Sequence, residues 1–269
     1  MRKTTLAIIA ASFLVLSGCE TLEELCGFSA DDLGFTEDYN RHLNAGVYIY
    51  QQSDRALRDA DLKANNTAII DGANVTLTTD SIIVDYGLGT IGEDGRERKG
   101  SIRIGYSGDY LVAGGTANIR LQNYFENDMP YEANVQLTNT TPSGTTMPQY
   151  GIDITSLKLD SLNLVGNLTA DWIGGYATSD FNDDDFSLGG NATLTNLNTN
   201  VDFVGTIINP LNISTSCDYT FVSGILQLVP SVEGYPIAEV DFIDGDCANL
   251  FNATIDCNGS SISSTFTIK

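Results

Sequence analysis

From Ala68 to the last residue the chain is a succession of short segments in which apolar residues fall on every second position, and this alternation limits the fold more than any other feature. It is clear at Val135/Leu137, Ile152/Ile154, Leu157/Leu159, Leu162/Leu164 and Phe266/Ile268. A period of two puts one face of a strand in the core and the other in water. The spacing predicts strands over 73–79, 81–86, 101–107, 115–124, 131–139, 150–160, 161–170, 191–198, 201–208, 217–229, 236–243, 251–257 and 261–268. Turns rich in Asn, Asp, Gly and Thr separate them. The expected fold is therefore mainly β, an antiparallel β-sandwich or twisted double sheet over 68–269. A β-solenoid needs a fixed short repeat, and the sequence has none beyond one echo described below.

Ahead of the strands, Tyr39, Leu43, Val47, Tyr50 and Leu57 recur at three-, four- and seven-residue steps. This predicts one helix from Glu37 to Lys63, within a segment 37–64 whose apolar stripe lies on the sheet. Thr36 supplies an N-cap hydroxyl, and Asp54/Arg58 and Asp59/Lys63 are supporting pairs one turn apart. Gly46 weakens the pattern locally.

The first residues read differently. Met1-Arg2-Lys3 is a basic start, Leu6–Leu16 is an apolar run too short to span a bilayer, and Leu16-Ser17-Gly18-Cys19 follows. This resembles the lipobox of bacterial lipoproteins. The resemblance implies removal of a signal peptide, residues 1–18, acylation of Cys19, and a tether over 19–36 that holds the protein to a membrane. Glu20, Glu23 and Glu24 beside Cys19 resemble the acidic signal that sends Bacteroidota lipoproteins to the outer face of the outer membrane; a solvated linker explains the same residues. The formal net charge is −22, and loss of Arg2 and Lys3 makes it more negative. Such a field repels nucleic acid and anionic headgroups, so no nucleic-acid partner is expected.

The segment Asp80–Gly108 reads as strand, glycine-rich turn, strand, with Gly87, Gly89, Gly92, Gly95 and Gly100 between two β-branched runs. Near the C-terminus Val240-Asp241-Phe242, Gly245, Cys247, Asn249 and then Asn258-Gly259 form a shorter echo. Together with Asp85-Tyr86-Gly87-Leu88-Gly89 and Asp94-Gly95-Arg96-Glu97-Arg98-Lys99-Gly100, this resembles a group of uncharacterised Bacteroidota outer-membrane lipoproteins. The resemblance implies an envelope location and carries no activity; Thr90 stands where that group has a cysteine. The plain physical reading of these loops is turn chemistry. Gly87, Gly89 and Gly95 admit positive φ, Asp85, Asp94 and Asp244 accept from turn amides, and Arg96 and Arg98 pair with such acids. A ligand site made by the two related loops is the sharper alternative. Past Cys19 the cysteines are Cys26, Cys217, Cys247 and Cys257, which allow three pairings. Strand-flanking positions and the resemblance favour Cys217 with Cys247, leaving Cys26 with Cys257 or Cys26 free.

Candidate chemistry is sparse. His42 is the single histidine and sits on the helix, which reads as packing rather than catalysis. Asp180, Asn182 and Asp184 match the first ligands of a calcium loop, but Asp185 stands where glycine is required and Asn191 where the closing Glu belongs. Calcium is thus the one cofactor to test, against an acidic surface loop. Trp172 and Tyr176, with Phe181 and Phe186 near, form either a platform for a glycan or protein partner or part of the core. The expectation is a lipid-anchored cell-envelope protein without catalysis, a structural, adhesive or glycan-binding surface module. The alternatives are an envelope hydrolase of glycosidase type using paired carboxylates, and a calcium-dependent binding module.

Overall fold

A computed structural model describes residues 27–178, 180–217, 220–233, 235–243, 247, 250–257 and 260–267. The signal segment, Cys19, Cys26 and most of the tether lie outside the described residues. So do Asp244, Gly245, Asn249, Asn258 and Gly259 of the C-terminal echo, and the side chain of Cys257.

The chain enters through a 3₁₀ turn, Ala30–Leu33, and continues as α1, Gly34–Arg58, and a short α2, Ala60–Asn65. Among the described residues fourteen strands follow. They are β1 Thr67–Ile70, β2 Ala73–Leu77, β3 Ser81–Ile91, β4 Glu97–Ser107, β5 Thr116–Glu126, β6 Met129–Asn139 and β7 Gln149–Leu159. Then come β8 Leu162–Gly174, β9 Asp185–Asn196, β10 Val201–Ser214, β11 Thr220–Pro230, β12 Ala238–Phe242, β13 Leu250–Cys257 and β14 Ser260–Thr267. Every strand pairs antiparallel with its neighbour in sequence, so the order in space is the order in the chain. The layers that a sandwich would divide between two sheets are successive arcs of one.

That sheet curls around α1. Tyr48 hydrogen-bonds the Tyr86 hydroxyl on β3 at 3.0 Å, while Tyr50, two residues on, packs its ring against Phe186 of β9 at 5.6 Å. In a flat sheet, six strand spacings would put β3 and β9 about 29 Å apart. Residues two apart on a helix point to nearly opposite sides, separated by about 3 Å along the axis. Both contacts hold only if the sheet bends around the helix. Register shifts in β3, β4, β5, β7 and β10 mark where the strands bend.

The core follows from this wrapping. The stripe Tyr39, Leu43, Val47, Tyr50 and Leu57 is buried, as its periodicity predicts. The other side is buried as well, with Asn40, Asn44, Gln51 and Gln52 all out of solvent, which a helix lying on one face of a sheet would not show. From the sheet, Val84, Tyr86, Ile102, Ile104, Ile119, Leu137, Leu164 and Leu194 point inward from alternate positions. Helix and sheet meet closely at Gly205. A Cβ there would fall 2.1 Å from the Tyr39 hydroxyl, which donates to the Ala192 carbonyl at 2.8 Å.

Three expectations change. The helix predicted from Glu37 to Lys63 breaks at Asp59, whose ψ of 120° leaves the helical region; its carboxylate accepts from Leu62 N at 2.6 Å instead of pairing with Lys63. Thr36 lies inside the first turn, where its hydroxyl donates to the Leu33 carbonyl, and caps nothing. The glycine-rich turn is shorter than expected. Gly87 and Gly89 belong to a bulged β3, with φ of 60° and 154°, and the connection proper is 92–96. Cys217 and Cys247 are joined in a disulfide, their Cα atoms 4.9 Å apart.

Candidate binding cleft at the end of the helix

Two clusters of buried charge hold the helix in its sheet. The first explains the Asp94–Gly100 motif. Arg98 is fully buried on β4, its guanidinium 3.5 Å from the centre of the Tyr48 ring, with both terminal nitrogens on Asp94 at 2.7 and 2.6 Å. Glu126 receives Arg98 at 3.1 Å and Arg96 at 2.8 Å. Tyr48 donates to Asp71, which also accepts from the Glu93 amide. Burial disfavours the Asp94 carboxylate, but the hydrogen bonds and charge of Arg98 outweigh it and hold the acid below its usual range. The motif thus ties α1, the β1–β2 turn, the β3–β4 hairpin and β5 together. Asp85 accepts from Gly87 N at 2.8 Å, an ordinary turn contact.

The second cluster lies where α1 ends, and an open cleft of about 490 Å³ stands over it. Arg58 reaches Asp54 at 2.6 Å and Asp184 at 2.5 Å through the same terminal nitrogen. Its guanidinium sits 4.2 Å from the Trp172 ring and 4.5 Å from the Phe181 ring. Trp172 Nε1 donates to the second Asp184 oxygen at 3.1 Å. Beneath Asp54 lie Tyr50, Tyr110 and Tyr150, all buried, the last two stacked at 4.7 Å. Burial raises Asp54, against the pull of Arg58. It also raises Asp184 to about 6, with Arg58 opposing and Asp54 adding to the rise.

Trp172, Tyr176, Phe181 and Asp184, singled out from sequence, converge here, and of the two readings of Trp172 the core one holds. Trp172 is only 2% exposed, its ring covered by Arg58 and packed on Phe186 at 5.7 Å, so it is a wall of the core and not an open platform. Tyr176 is 38% exposed and meets Trp172 edge-on. The calcium triad does not assemble. Asp180 caps the amide of Asn182 at 2.9 Å, while Asp184 turns inward to Arg58, because the 3₁₀ turn Phe181–Asp183 between them swings Phe181 onto the same guanidinium. Asp183 accepts from the Thr178 hydroxyl at 2.9 Å. Among the described residues no group of three or more His, Cys, Asp and Glu side chains is placed to hold a metal ion. His42 is buried, with Nδ1 2.8 Å from the Asp38 carbonyl, and burial lowers its pKa. It packs.

Sequence reading missed the cluster itself. Asp54 and Arg58 were visible as a helix pair one turn apart, but Asp184 lies 126 residues beyond Arg58, and nothing local to Asp184 announces its partner. The rim of the cleft is mixed. Leu111, Pro148, Tyr176 and Phe181 give apolar surface, and Asp59 and Asp61 on and before α2 give carboxylates. No protein-family model, no curated protein and no solved structure matches the chain.

Proposed function

We propose that the protein is a non-catalytic, lipid-anchored module of the bacterial cell envelope that binds a glycan or protein partner through the cleft at the end of α1. The observation that carries this reading is the closure of the Arg58 cluster. One guanidinium bridges two carboxylates and lies against two aromatic rings, so the charged groups below the cleft hold its walls in place. What remains toward solvent is a recognition surface of one open tyrosine, aliphatic side chains and acids. The Leu16–Cys19 lipobox and the turn motifs support membership of the Bacteroidota-type lipoproteins and a place on the outer membrane, facing outward. A disulfide suits an exported chain.

The hydrolase reading draws on one observation, that Asp54 and Asp184 meet on a single nitrogen and so stand within about 5 Å, the separation of a nucleophile and acid pair. Both are 1% exposed beneath the cleft floor.

The test is fractionation and acyl labelling. Wild type is expected in the outer-membrane fraction with incorporated palmitate and to be shaved by protease on intact cells. Cys19→Ser is expected to lose the label. An unlabelled wild-type protein in the soluble fraction would overturn the anchored reading.

A further inference from the structure

We propose that the cleft receives a basic side chain, a lysine or arginine presented by a segment of a partner protein, between the Tyr176 ring and the carboxylates of Asp59 and Asp61. The inference rests on the binding-module reading above and names the occupant.

A lysine or arginine has an apolar stem and a charged head, and the cleft offers a surface to each. Leu111, 47% exposed, and Pro148 line it beside Tyr176, whose ring meets solvent. Such walls suit an aliphatic stem, and an open aromatic ring attracts a cation. Asp59 and Asp61 stand at the lip, where α2 begins. Arg58 on the floor does not reverse the sign, because Asp54 and Asp184 both touch its outer nitrogen. Lys63 faces the groove on the other side of α2, with Leu57 and Leu62. The formal charge of −22 draws a basic segment from a distance, and the cleft gives it a place to stop.

The same geometry argues against a sugar. Sugar recognition by stacking needs a broad open ring face, and the largest ring present, Trp172, is covered by Arg58.

The experiment is calorimetry on the full chain in detergent at physiological salt, with hexaarginine, hexaglutamate and chitohexaose as probes. Saturable binding of hexaarginine alone is expected. Tyr176→Ala and Asp61→Asn, both at exposed positions and checked for unchanged melting, are each expected to weaken it roughly fivefold or more. The double variant Glu239→Gln/Asp241→Asn, which removes two exposed acids from β12, is expected to leave it unchanged. Equal weakening by the cleft and β12 variants would reduce the effect to diffuse charge and overturn the inference. Chitohexaose binding that is lost in Tyr176→Ala, with no hexaarginine binding, would overturn it while leaving the binding module standing. Failure of every probe would sink both.

Discussion

At the scale of single residues, the molecule depends on two arginines that are largely out of solvent and held by carboxylates. Removing Arg58 would strand Asp54 and Asp184 together in the interior. Breaking a buried pair by deleting one partner costs about 3–5 kcal/mol, so Arg58→Ala should lower the denaturant midpoint by a corresponding amount. Arg98→Lys should also destabilise, since an ammonium cannot place two parallel N–H groups on Asp94. Asp184 adds a pH signature. Its pKa in the folded state, about 6, lies above the ordinary aspartate value, so the fold binds its proton more tightly than the unfolded chain. That contribution is fully present below about pH 4 and is lost as pH rises through 6. Between pH 5 and pH 7 it amounts to about 1 kcal/mol of lost stability. Asp184→Asn, which keeps an acceptor for Trp172 and cannot titrate, should flatten this part of the profile. Urea unfolding at the two pH values checks it, and an unchanged slope would show that Asp184 does not carry the proton. The Asp94 carboxyl is shifted the other way, so its contribution is present above the ordinary aspartate range and fades at lower pH.

At the scale of elements, much of the architecture could be read from the alternation because each strand pairs with the next, and both partners sit close together in sequence. The thirteen expected segments all fall on observed strands, with ends shifted by up to several residues. β1 escaped. It has only four residues, and the Asp71-Gly72 turn after it, with both φ values positive, was the available signal of a tight hairpin. The helix break escaped for a different reason. Asp59 suits either a salt bridge to Lys63 or a cap on Leu62 by spacing alone, and only the packing of Leu62 into the core selects the cap. Replacing that cap, Asp59→Ala, should cost about 1 kcal/mol and fray α2 first, visible as faster amide exchange over 60–65. Gly205→Ala probes the helix–sheet contact. A methyl group there collides with the Tyr39 hydroxyl, so the helix must shift or lose its bond to Ala192. Overpacking of this kind costs about 1–3 kcal/mol, and Tyr39→Phe in the same chain would restore part of it only if the hydroxyl is the obstacle.

At the scale of the whole molecule, the curl of the sheet is what the sequence did not disclose. Strand pairing is local, but curvature is set by which interior side chains meet across the helix, such as Tyr48 with Tyr86 and Tyr50 with Phe186. Those meetings join residues far apart in sequence, and a sandwich satisfies the same alternation. The cleft inherits this difficulty, since α1, β8 and the β8–β9 connection each supply part of it. The last strands share the same core and carry a covalent tie as well. β12 and β13 pair within the sheet, and the Cys217–Cys247 bridge ties the connection after β10 to the one after β12. The Arg58 cluster reaches this bridge through the chain, because Asp184 exchanges backbone and hydroxyl hydrogen bonds with Thr215, two residues before Cys217. A bridge closing a loop of 30 residues contributes about 3–4 kcal/mol on the loop-entropy account. Because it joins the connections that flank β11 and β12, its loss should be felt unevenly. In Cys217→Ser/Cys247→Ser, amide exchange should accelerate over β11–β14 by far more than over β3–β9, which keep α1 and the Arg98 cluster. Uniform acceleration across all fourteen strands would instead make the sheet one cooperative unit, with the disulfide acting on the unfolded chain alone.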